Sequence, residues 1–358
     1  MAFRPLALAG VRVAILVVVA MATTVAGPVA ALAATASTST TMTLLAVGDL
    51  MCHSGQLSAA HTRAGYAFGP GLEPVAPTIR AADLAIGNLE TTLRSSGYSG
   101  YPSFRSPTAF AVALKAAGFD VLTTANNHTL DGGASGVRYT SAYLGRLGIA
   151  HAGSDNHRWV VVRRKGIRIA ILPYTYGTNG IRSPYAGAVS RISLLQIRRD
   201  IASARKASDF VVVYLHWGAE YSTRPEASTR KFAHQVIDAG ADLILGSHPH
   251  VVRPIERYLG HYIVYSMGNF IHGQARALTD LGVMVQVKVI RRGKSASVSS
   301  VKVVPVYRDR SFGRGTRTYR TVLVDRALAA RDSLISSADS SKLRSYRALC
   351  KRMFRGYY

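Results

Sequence analysis

Residues of the kinds that bind metal ions lie directly after short apolar runs in this sequence. Each run has the length and composition of a buried strand. In α/β proteins, the carboxyl ends of the strands meet at the edge of the sheet where ligands bind. We therefore expect the side chains that follow these runs to share one crevice. They are carboxylates, an amide and imidazoles: Asp49, Glu90, Asn127, His216, His248 and His250.

This combination of side chains is typical of a site for divalent transition-metal ions. Carboxylate and imidazole ligands together suit Mn, Fe and Zn. Two such ions, about 3.5–4 Å apart, stabilise both the attacking and the leaving oxygen of a displacement reaction. The sequence therefore predicts two divalent transition-metal ions and leaves the choice among Mn, Fe and Zn open.

Each residue alone also has an ordinary structural interpretation. Asp49 could cap a turn, and Glu90 could be a surface carboxylate. Asn127 could form an Asx turn, and His216 could be a packed, hydrogen-bonded core histidine. The metal-site interpretation is favoured because several strand ends in one chain carry ligand-type residues at once.

Strands and helices alternate in the first part of the chain, as the scaffold of such a crevice requires. Strands are predicted at 44–47, 84–87 and 120–124, and helices at 74–81, 107–117 and 133–147. This alternation is typical of a largely parallel sheet covered by helices.

The later part of the chain is richer in strands. Hairpins are predicted over 159–172, 255–265 and 281–306, strands at 210–215 and 242–245, and helices at 194–207, 227–239 and 325–335. The segment 174–189 is rich in Gly, Pro and Tyr and is predicted to be a loop over the site. The strands of this later part predict a second sheet that faces the first. The predicted fold is therefore α/β: a four-layer αββα sandwich of two mixed sheets flanked by helices.

The ends of the chain are set apart by composition. Arg4 and Arg12, the apolar stretch 13–22 and the small residues around Ala33 resemble a secretory signal, so 1–34 is predicted to be a signal peptide, with an uncleaved membrane anchor as the alternative. A Ser/Thr-rich linker is expected at 35–43, the main domain at 44–307 and a basic extension at 308–358. Cys52 and Cys350 are expected to be free thiols.

The formal net charge of +25 at pH 7 favours anionic partners. For an exported protein, these include wall or capsule polymers and lipid headgroups. Nucleic acid is a weaker interpretation because no base-reading motif with interleaved aromatic residues is present.

Motifs in the same order identify a family resemblance. The chain resembles the CapA family of poly-γ-glutamate capsule biosynthesis, a branch of the calcineurin-like metallophosphoesterases, from about residue 44 to residue 270. The motifs are Gly48-Asp49-Leu50-Met51, Asn88-Leu89-Glu90, Asn126-Asn127-His128, His216-Trp217-Gly218, Gly246-Ser247-His248-Pro249-His250 and Gly268-Asn269-Phe270.

The resemblance implies a role for each ligand-type residue. One ion would be held by Asp49 and His250, and Glu90 would bridge the two ions. The second ion would be held by the remaining ligands, which are Asn127, His216 and His248. His128 would be the general acid that protonates the leaving oxygen, and a metal-bridging hydroxide would be the nucleophile.

One position departs from the phosphoesterase pattern. Met51 stands where the pattern has a histidine, and a thioether is a poor ligand for an ion that prefers oxygen. His53, two residues further on, could take its place. Asn88 and Ser247 could hydrogen-bond metal ligands or substrate oxygens, or could be turn residues.

Two functional hypotheses from different classes follow. The first is an exported, cell-envelope or extracellular metal-dependent hydrolase acting on a phosphoester or an anionic polymer in capsule biosynthesis. The second is a non-catalytic partner that binds such a polymer and helps its assembly or export beside membrane-bound polymer synthase components. A secreted nuclease or nucleotidase is a third, less favoured hypothesis. The sequence does not indicate the oligomeric state.

Overall fold

The computed structural model describes residues 1, 2, 10, 14 and 39–358, apart from 294, 311, 314–315 and 331–334. The strands of the described residues are β1 (Ser39–Leu50), β2 (His61–Thr62), β3 (Gly65–Tyr66), β4 (Leu84–Leu89), β5 (Thr92–Arg94), β6 (Arg105–Pro107), β7 (Val121–Thr123), β8 (Ala150–Ala152), β9 (Val160–Arg164), β10 (Ile167–Thr175), β11 (Phe210–His216), β12 (Leu243–Ser247), β13 (Val252–Tyr258), β14 (His261–Met267), β15 (Asn269–Ile271), β16 (Leu281–Arg292), β17 (Ser295–Asp309), β18 (Phe312–Gly313), β19 (Thr316–Arg317) and β20 (Arg320–Leu323). The helices are α1 (Ser54–Ala60), α2 (Ala76–Arg80), α3 (Thr108–Ala117), α4 (Gly133–Arg146), α5 (Leu194–Ala207), α6 (Ala227–Asp238), α7 (Val324–Ala330) and α8 (Ser337–Met353).

The first large sheet joins a parallel half to an antiparallel half. Its strand order is β20-β17-β16-β1-β4-β7-β8, and β15 pairs with the end of β1. Strands β1, β4, β7 and β8 run parallel, whereas β16, β17 and β20 extend the sheet in antiparallel fashion on the other side of β1. β1 is therefore an interior strand with neighbours on both sides, and its carboxyl end is enclosed by the sheet.

The second large sheet has the order β13-β14-β12-β11-β10-β9. Its four central strands are parallel, and each edge strand is antiparallel to its neighbour. The carboxyl ends of β11 and β12 therefore lie side by side, as the positions of the predicted histidines require.

Alternating side chains of the strands build the layers, because successive residues of a strand point to opposite faces. In β1, Leu44 and Ala46 enter the core between the two sheets, whereas Leu45 and Val47 pack with residues of α2 and α3. In β11, Tyr214 enters the core between the sheets, and its neighbours pack against α5 and α6. The predicted αββα sandwich is confirmed.

The first strand is longer than its apolar run suggested. β1 starts at Ser39, so residues 39–43 of the predicted linker belong to a strand. Ser39 to Thr43 pair in antiparallel register with residues 288–292 of β16, and threonine is well suited to a strand. The rest of that linker, residues 35–38, and nearly all of the predicted signal segment 1–34 lie outside the described residues, so the signal peptide stays a prediction.

The basic C-terminal region is part of the same folded unit, which spans Thr38–Tyr358. Cys350 and Phe354 are fully buried in the core between the sheets, and the main chain of Tyr357 accepts a hydrogen bond from Val303 of β17 at 2.6 Å. The boundary predicted at 307 therefore does not end the fold. The helix predicted over 325–335 is described as α7, Val324–Ala330, and α8 was missed.

Two further sequence expectations concern membranes and thiols. No helix among the described residues has both the length and the apolar character that a membrane span needs. Cys52 and Cys350 are buried and free, as predicted, and burial raises the pKa of each thiol to about 12.

We expect the replacement Phe354→Ala to destabilise the whole domain, because Phe354 fills the core between the two sheets. A buried Phe→Ala change lowers the free energy of unfolding by about 3–5 kcal/mol. A urea titration measures this loss as a lower midpoint of unfolding. The exposed neighbour Arg355 supplies the control, since Arg355→Ala should stay within about 0.5 kcal/mol of the parent. Equal midpoints for the two variants would mean that the C-terminal region is energetically separate.

Candidate metal centre

The carboxyl ends of strands from both large sheets converge on one buried cluster. β1 and β4 supply residues from the first sheet, and the segment after β7 adds two more. β11 and the segment after β12 supply residues from the second sheet. The predicted site residues that are at most 5% exposed are Asp49, Asn88, Glu90, Asn127, His128, His216, Ser247, His248 and His250.

Two glycines allow neighbouring backbone segments to approach closely where the cluster forms. A Cβ atom on Gly48 would lie 1.9 Å from the carbonyl oxygen of Gly268, and one on Gly246 would lie 2.3 Å from the carbonyl oxygen of Tyr265. Both contacts are with backbone, which cannot move aside as a flexible side chain would. The Gly-Asp and Gly-Ser-His motifs therefore use glycine because the neighbouring strands approach too closely for any side chain.

Asp49 is fully buried and accepts hydrogen bonds at both oxygens. Oδ1 accepts from Asn88 Nδ2 at 2.9 Å, and Oδ2 accepts from the main-chain N–H of His248 at 3.2 Å. Oδ2 also lies 3.4 Å from His250 Nδ1. Burial alone would raise the pKa of Asp49, but the hydrogen bond with His250 and the attraction of the neighbouring imidazoles outweigh it and lower the pKa. Asp49 is held as a carboxylate.

Glu90 is also fully buried, but it has no hydrogen-bond partner within the described structure. Both carboxyl oxygens lack one, and the nearest imidazole nitrogen recorded, His216 Nε2, lies 3.5 Å from Oε1. Burial, followed by repulsion from Asp49, raises the pKa of Glu90 well above its ordinary value. Buried polar atoms are almost always paired. Two unpaired oxygens beside a second carboxylate are what a bound cation would satisfy, so this residue fits a metal site.

His216 connects the two halves of the cluster. Its Nε2 lies 2.7 Å from Asn127 Oδ1, and its Nδ1 lies 3.2 Å from Asn88 Nδ2 and 3.0 Å from Ser247 Oγ. Burial, and then His248, lower the pKa of His216 well below its ordinary value. In this arrangement the neutral imidazole accepts from Asn88 at Nδ1 and donates from Nε2 to Asn127 Oδ1, so Nε2 would bind an ion only after losing that proton.

Asn88 and Ser247 contact the predicted ligands directly. Besides its bonds to Asp49 and His216, Asn88 accepts a hydrogen bond from Asn126 Nδ2 at 3.1 Å. Both residues are 0% exposed. Of the three roles considered from the sequence, this placement favours support of the ligands over contact with substrate or a role in a turn.

His248 and His250 adopt left-handed backbone conformations, with φ of 97° and 58°. Such conformations cost about 1–3 kcal/mol each in non-glycine residues and persist where the surroundings enforce them. His250 Nδ1 lies 2.9 Å from Asn269 Oδ1, whereas His248 Nδ1 has no partner among the described residues. Burial, and then repulsion from His250, lower the pKa of His248 to about 3.

His128 forms a buried pair with Asp131. His128 Nδ1 lies 2.7 Å from Asp131 Oδ2, and that oxygen also accepts a hydrogen bond from the main-chain N–H of Phe104 at 2.5 Å. The Phe104 ring packs edge-on against the imidazole, with the centroids 4.6 Å apart. Because a carboxylate only accepts hydrogen bonds, it fixes the proton on Nδ1 and leaves Nε2 for other contacts.

The predicted substitution of His53 for Met51 stays a prediction. Met51 is buried, and His53 lies just before α1, where its Nδ1 accepts a hydrogen bond from the main-chain N–H of Gly273 at 3.0 Å. Burial, and then the charges of His250 and His128, lower the pKa of His53 to about 4. For Nδ1 to bind an ion, the bond from Gly273 would have to break.

Two groups of side chains in the described structure have ligand atoms that all lie within 4.8 Å of one another. The first group is Asp49, Glu90 and His250, and the second is Glu220, His248 and His250. The donor set is one of imidazole and carboxylate, as Mn, Fe and Zn prefer. The ion-pair partners recorded for Asp49 and Glu90 are histidines. The residues present therefore fit divalent cations.

Sequence reasoning missed Glu220 and Asp131. Glu220 follows His216 by four residues on a loop, and nothing in the apolar pattern singles it out. Asp131 follows His128 at the i, i+3 spacing, a signal from which the pairing could have been found. Asn269 was quoted as part of a motif but was given no role.

Comparisons with known proteins agree with the motifs. The model of a family described as Bacterial capsule synthesis protein PGA_cap matches residues 43–274. The "PGA biosynthesis protein CapA" of Bacillus subtilis (strain 168) is 32% identical over 234 residues, which are 61% of this chain and 61% of that protein. The "Capsule biosynthesis protein CapA" of Bacillus anthracis is 31% identical over 264 residues, 68% of this chain and 63% of that protein.

The matched region thus spans about three fifths of the length of these relatives. Among solved structures, the calcineurin-like phosphoesterase YfkN from Bacillus subtilis is similar, with 12% identity and a TM-score of 0.45 over 87% of this chain and 100% of that chain. A likeness of this degree carries no argument about activity.

We expect Glu90→Gln to stabilise the chelator-treated protein at pH 8. The folded state raises the pKa of Glu90, so the wild-type protein loses stability as pH rises above about 4.5, the pKa of an unpaired Glu in the unfolded chain. Glutamine does not ionise and avoids that loss, and the advantage should shrink towards pH 4. Melting temperatures measured with chelator from pH 4 to 8 test this, with the exposed Glu73→Gln as control. Parallel pH profiles for Glu90→Gln and wild type would contradict it.

Proposed function

The chain belongs to the bacterial capsule synthesis protein PGA_cap family, and on that premise we propose that it is an exported, metal-dependent hydrolase of capsule or cell-envelope polymer biosynthesis. Its relatives in Bacillus are named for the biosynthesis of PGA and of capsule. The substrate class proposed here is an anionic one: a phosphoester or a polymer such as poly-γ-glutamate.

The observation that carries this proposal is the buried Glu90 carboxylate with two unpaired oxygens. A protein that only needed its fold would lose nothing by replacing a buried, unpaired carboxylate with an apolar residue, because burying charge without a partner is costly. A site that binds cations needs such a carboxylate. Its carboxylate lies close to ligand atoms of both Asp49 and His216, which favours the bridging role proposed for it.

The chain's own residues supply ligands for two divalent ions from both sheets. Bound ions would lower the pKa of a coordinated water towards about 7 and offset charge that develops on the substrate. The protein holds the donor atoms in place through Asn88, Ser247 and Asn126, which hydrogen-bond ligands or each other. The ligands proposed are Asp49, Glu90, Asn127, His216, His248 and His250.

His128 is the proposed proton donor to the leaving oxygen. Asp131 holds its Nδ1 proton and orients the ring, and Phe104 restricts the ring further. Nε2 is then the atom that would carry the transferred proton. Histidine is a common general acid because its ring can both hold and release a proton.

One basic side chain near the site favours an anionic substrate. The guanidinium of Arg276, an exposed residue, lies 4.2 Å from the centroid of the Tyr221 ring. That ring in turn packs against His250, with the centroids 6.0 Å apart. Arg276 is thus connected to the cluster through Tyr221, and its exposed positive charge can attract a carboxylate or phosphate of the substrate towards the cluster. The net charge of +25 also attracts anions.

Export and partners belong to the same proposal. The signal-like segment 1–34 would direct the chain out of the cytoplasm, and an envelope location would bring it to polymer leaving a membrane-bound synthase. The alternative function, a non-catalytic polymer-binding or assembly partner, is favoured by one specific residue. Met51 removes an expected ligand, and a binding partner needs the fold and the charge but no complete metal site.

Metal content of the protein from residue 34 onward distinguishes these functions. We expect about two equivalents of a transition metal by elemental analysis after reloading, and loss of metal in the double variant His248→Ala/His250→Ala. One equivalent would mean that Met51 has removed one of the two sites. No metal, together with salt-sensitive binding of poly-γ-glutamate, would favour the non-catalytic partner.

We expect His128→Ala to slow hydrolysis by about 10²–10⁴-fold while the metal content stays unchanged. The loss should be larger for an alkyl phosphoester than for a nitrophenyl ester, because nitrophenolate leaves without a proton. Initial rates on both esters measure this, with the half-buried His151→Ala as a matched histidine control. Equal losses on the two esters would assign His128 a structural role, and no loss would remove it from the mechanism.

A further inference from the structure

Glu220 lies at the open side of the metal cluster, on the segment between β11 and α6. It is exposed, whereas His248 and His250 are buried. Even so, one carboxylate oxygen of Glu220 and one ring nitrogen of each histidine all lie within 4.8 Å of one another. Neither the strand-end pattern nor the motif resemblance includes this residue.

We propose that Glu220 is an additional ligand of the metal centre, adding a carboxylate on its solvent side beside His248 and His250, the two histidines that the proposed ligand set assigns to different ions. This inference rests on the proposed metal centre, but it does not depend on hydrolytic activity.

The backbone conformation around Glu220 brings this residue close to the two histidines. Gly218 and Tyr221 have positive φ angles of 87° and 62°, so the chain turns sharply on either side of Glu220. The main-chain N–H of Tyr221 donates a hydrogen bond to the carbonyl oxygen of Pro249 at 2.8 Å. Because Pro249 stands between the two histidines, this bond ties the Glu220 segment directly to them.

A buried arginine holds the same segment through hydrogen bonds to its main chain. Arg253 is 0% exposed, and its Nη2 donates to the carbonyl oxygen of Ala219 at 2.9 Å while its Nε donates to that of Ser222 at 2.8 Å. One guanidinium therefore holds the carbonyl groups on both sides of Glu220. Its charge is met by Glu226, with Nη2 3.2 Å from Oε1, which leaves the Glu220 carboxylate for another cation.

Close packing keeps this arrangement in place. A Cβ atom on Gly218 would lie 2.5 Å from Arg253 Nη1, so glycine lets the guanidinium reach the loop. Burial, and then the neighbouring Glu220 carboxylate, raise the pKa of the Tyr221 hydroxyl. An exposed glutamate with no function would not need a buried arginine, a glycine and a main-chain bond to set its position.

The chemistry of the three donors suits the ions already inferred. Two imidazoles and one carboxylate form a ligand set found in catalytic zinc sites, where the remaining position is left open for water or substrate, and the same donors suit Mn and Fe. Glu220 would also supply an oxygen donor on the side of His250, the residue that the resemblance groups with Asp49. It thus offers a harder ligand than the thioether of Met51.

The test compares metal binding by the chelator-stripped wild-type protein, Glu220→Gln and Glu73→Gln, using Co²⁺ as the probe. Glutamine keeps the size of the side chain and removes its charge, and Glu73 is an exposed control. We expect Glu220→Gln to bind Co²⁺ at least about tenfold more weakly. Loss of a group that only hydrogen-bonds to a metal ligand already weakens metal binding about 10–100-fold, so loss of a direct ligand should cost at least the lower value. The visible absorption of this variant should also change, because a carboxylate leaves the coordination sphere.

The outcomes separate this inference from the proposed function. If the wild-type protein binds no Co²⁺, the metal centre itself fails. If wild type and Glu220→Gln bind Co²⁺ with equal affinity and equal spectra, the metal centre stands and Glu220 is not a ligand. Partial recovery of affinity in Glu220→Asp, with the urea midpoint unchanged in all variants, would support direct coordination over a change in folding.

Discussion

The structure depends on keeping two carboxylates, Asp49 and Glu90, buried side by side between the two sheets. Removing a charged group from water costs several kcal/mol even after the surroundings relax. Asp49 recovers part of that cost through hydrogen bonds from Asn88 and the main chain of His248. Glu90 has no such bonds. The fold therefore carries a local electrostatic penalty at its centre, and this penalty explains why imidazoles and amides rather than apolar side chains line the cluster.

That cluster forms only if both sheets are held in register with each other. The inward-facing apolar residues of β1 and β11 pack in one core, and the hydroxyl of Tyr214 on β11 donates a hydrogen bond to the carbonyl oxygen of Val47 on β1 at 3.0 Å. This bond crosses between the sheets two residues before Asp49 and His216. Phe354, which directly follows the C-terminal helix α8, packs in the same core. Because moving either sheet would separate the ligands, the packing that stabilises the core also maintains the geometry of the site.

Strand-end residues could be predicted from the sequence because a buried strand is an uninterrupted apolar run and its last residue is visible as the first polar one. His216, for example, ends β11 as the pattern indicated. Other features depend on contacts between distant segments. Ser39 to Thr43 form a strand only because β16 lies beside them. The helix α8 has few apolar residues, and Glu220 reaches the cluster through Arg253, whose partners are invisible in any local pattern.

The position of Glu220 changes how the replacement of a histidine by Met51 is understood. On the motif alone, the missing imidazole weakens one side of the centre and favours a binding role without chemistry. In the fold, a carboxylate oxygen of Glu220 on the solvent side lies within 4.8 Å of a ring nitrogen of His250, close enough for the two to share an ion. An oxygen donor suits Mn or Fe better than a thioether does. The His128–Asp131 pair is buried beside the cluster, so the proposed metal-dependent hydrolase would give a role to more of the buried polar residues than the proposed binding partner would.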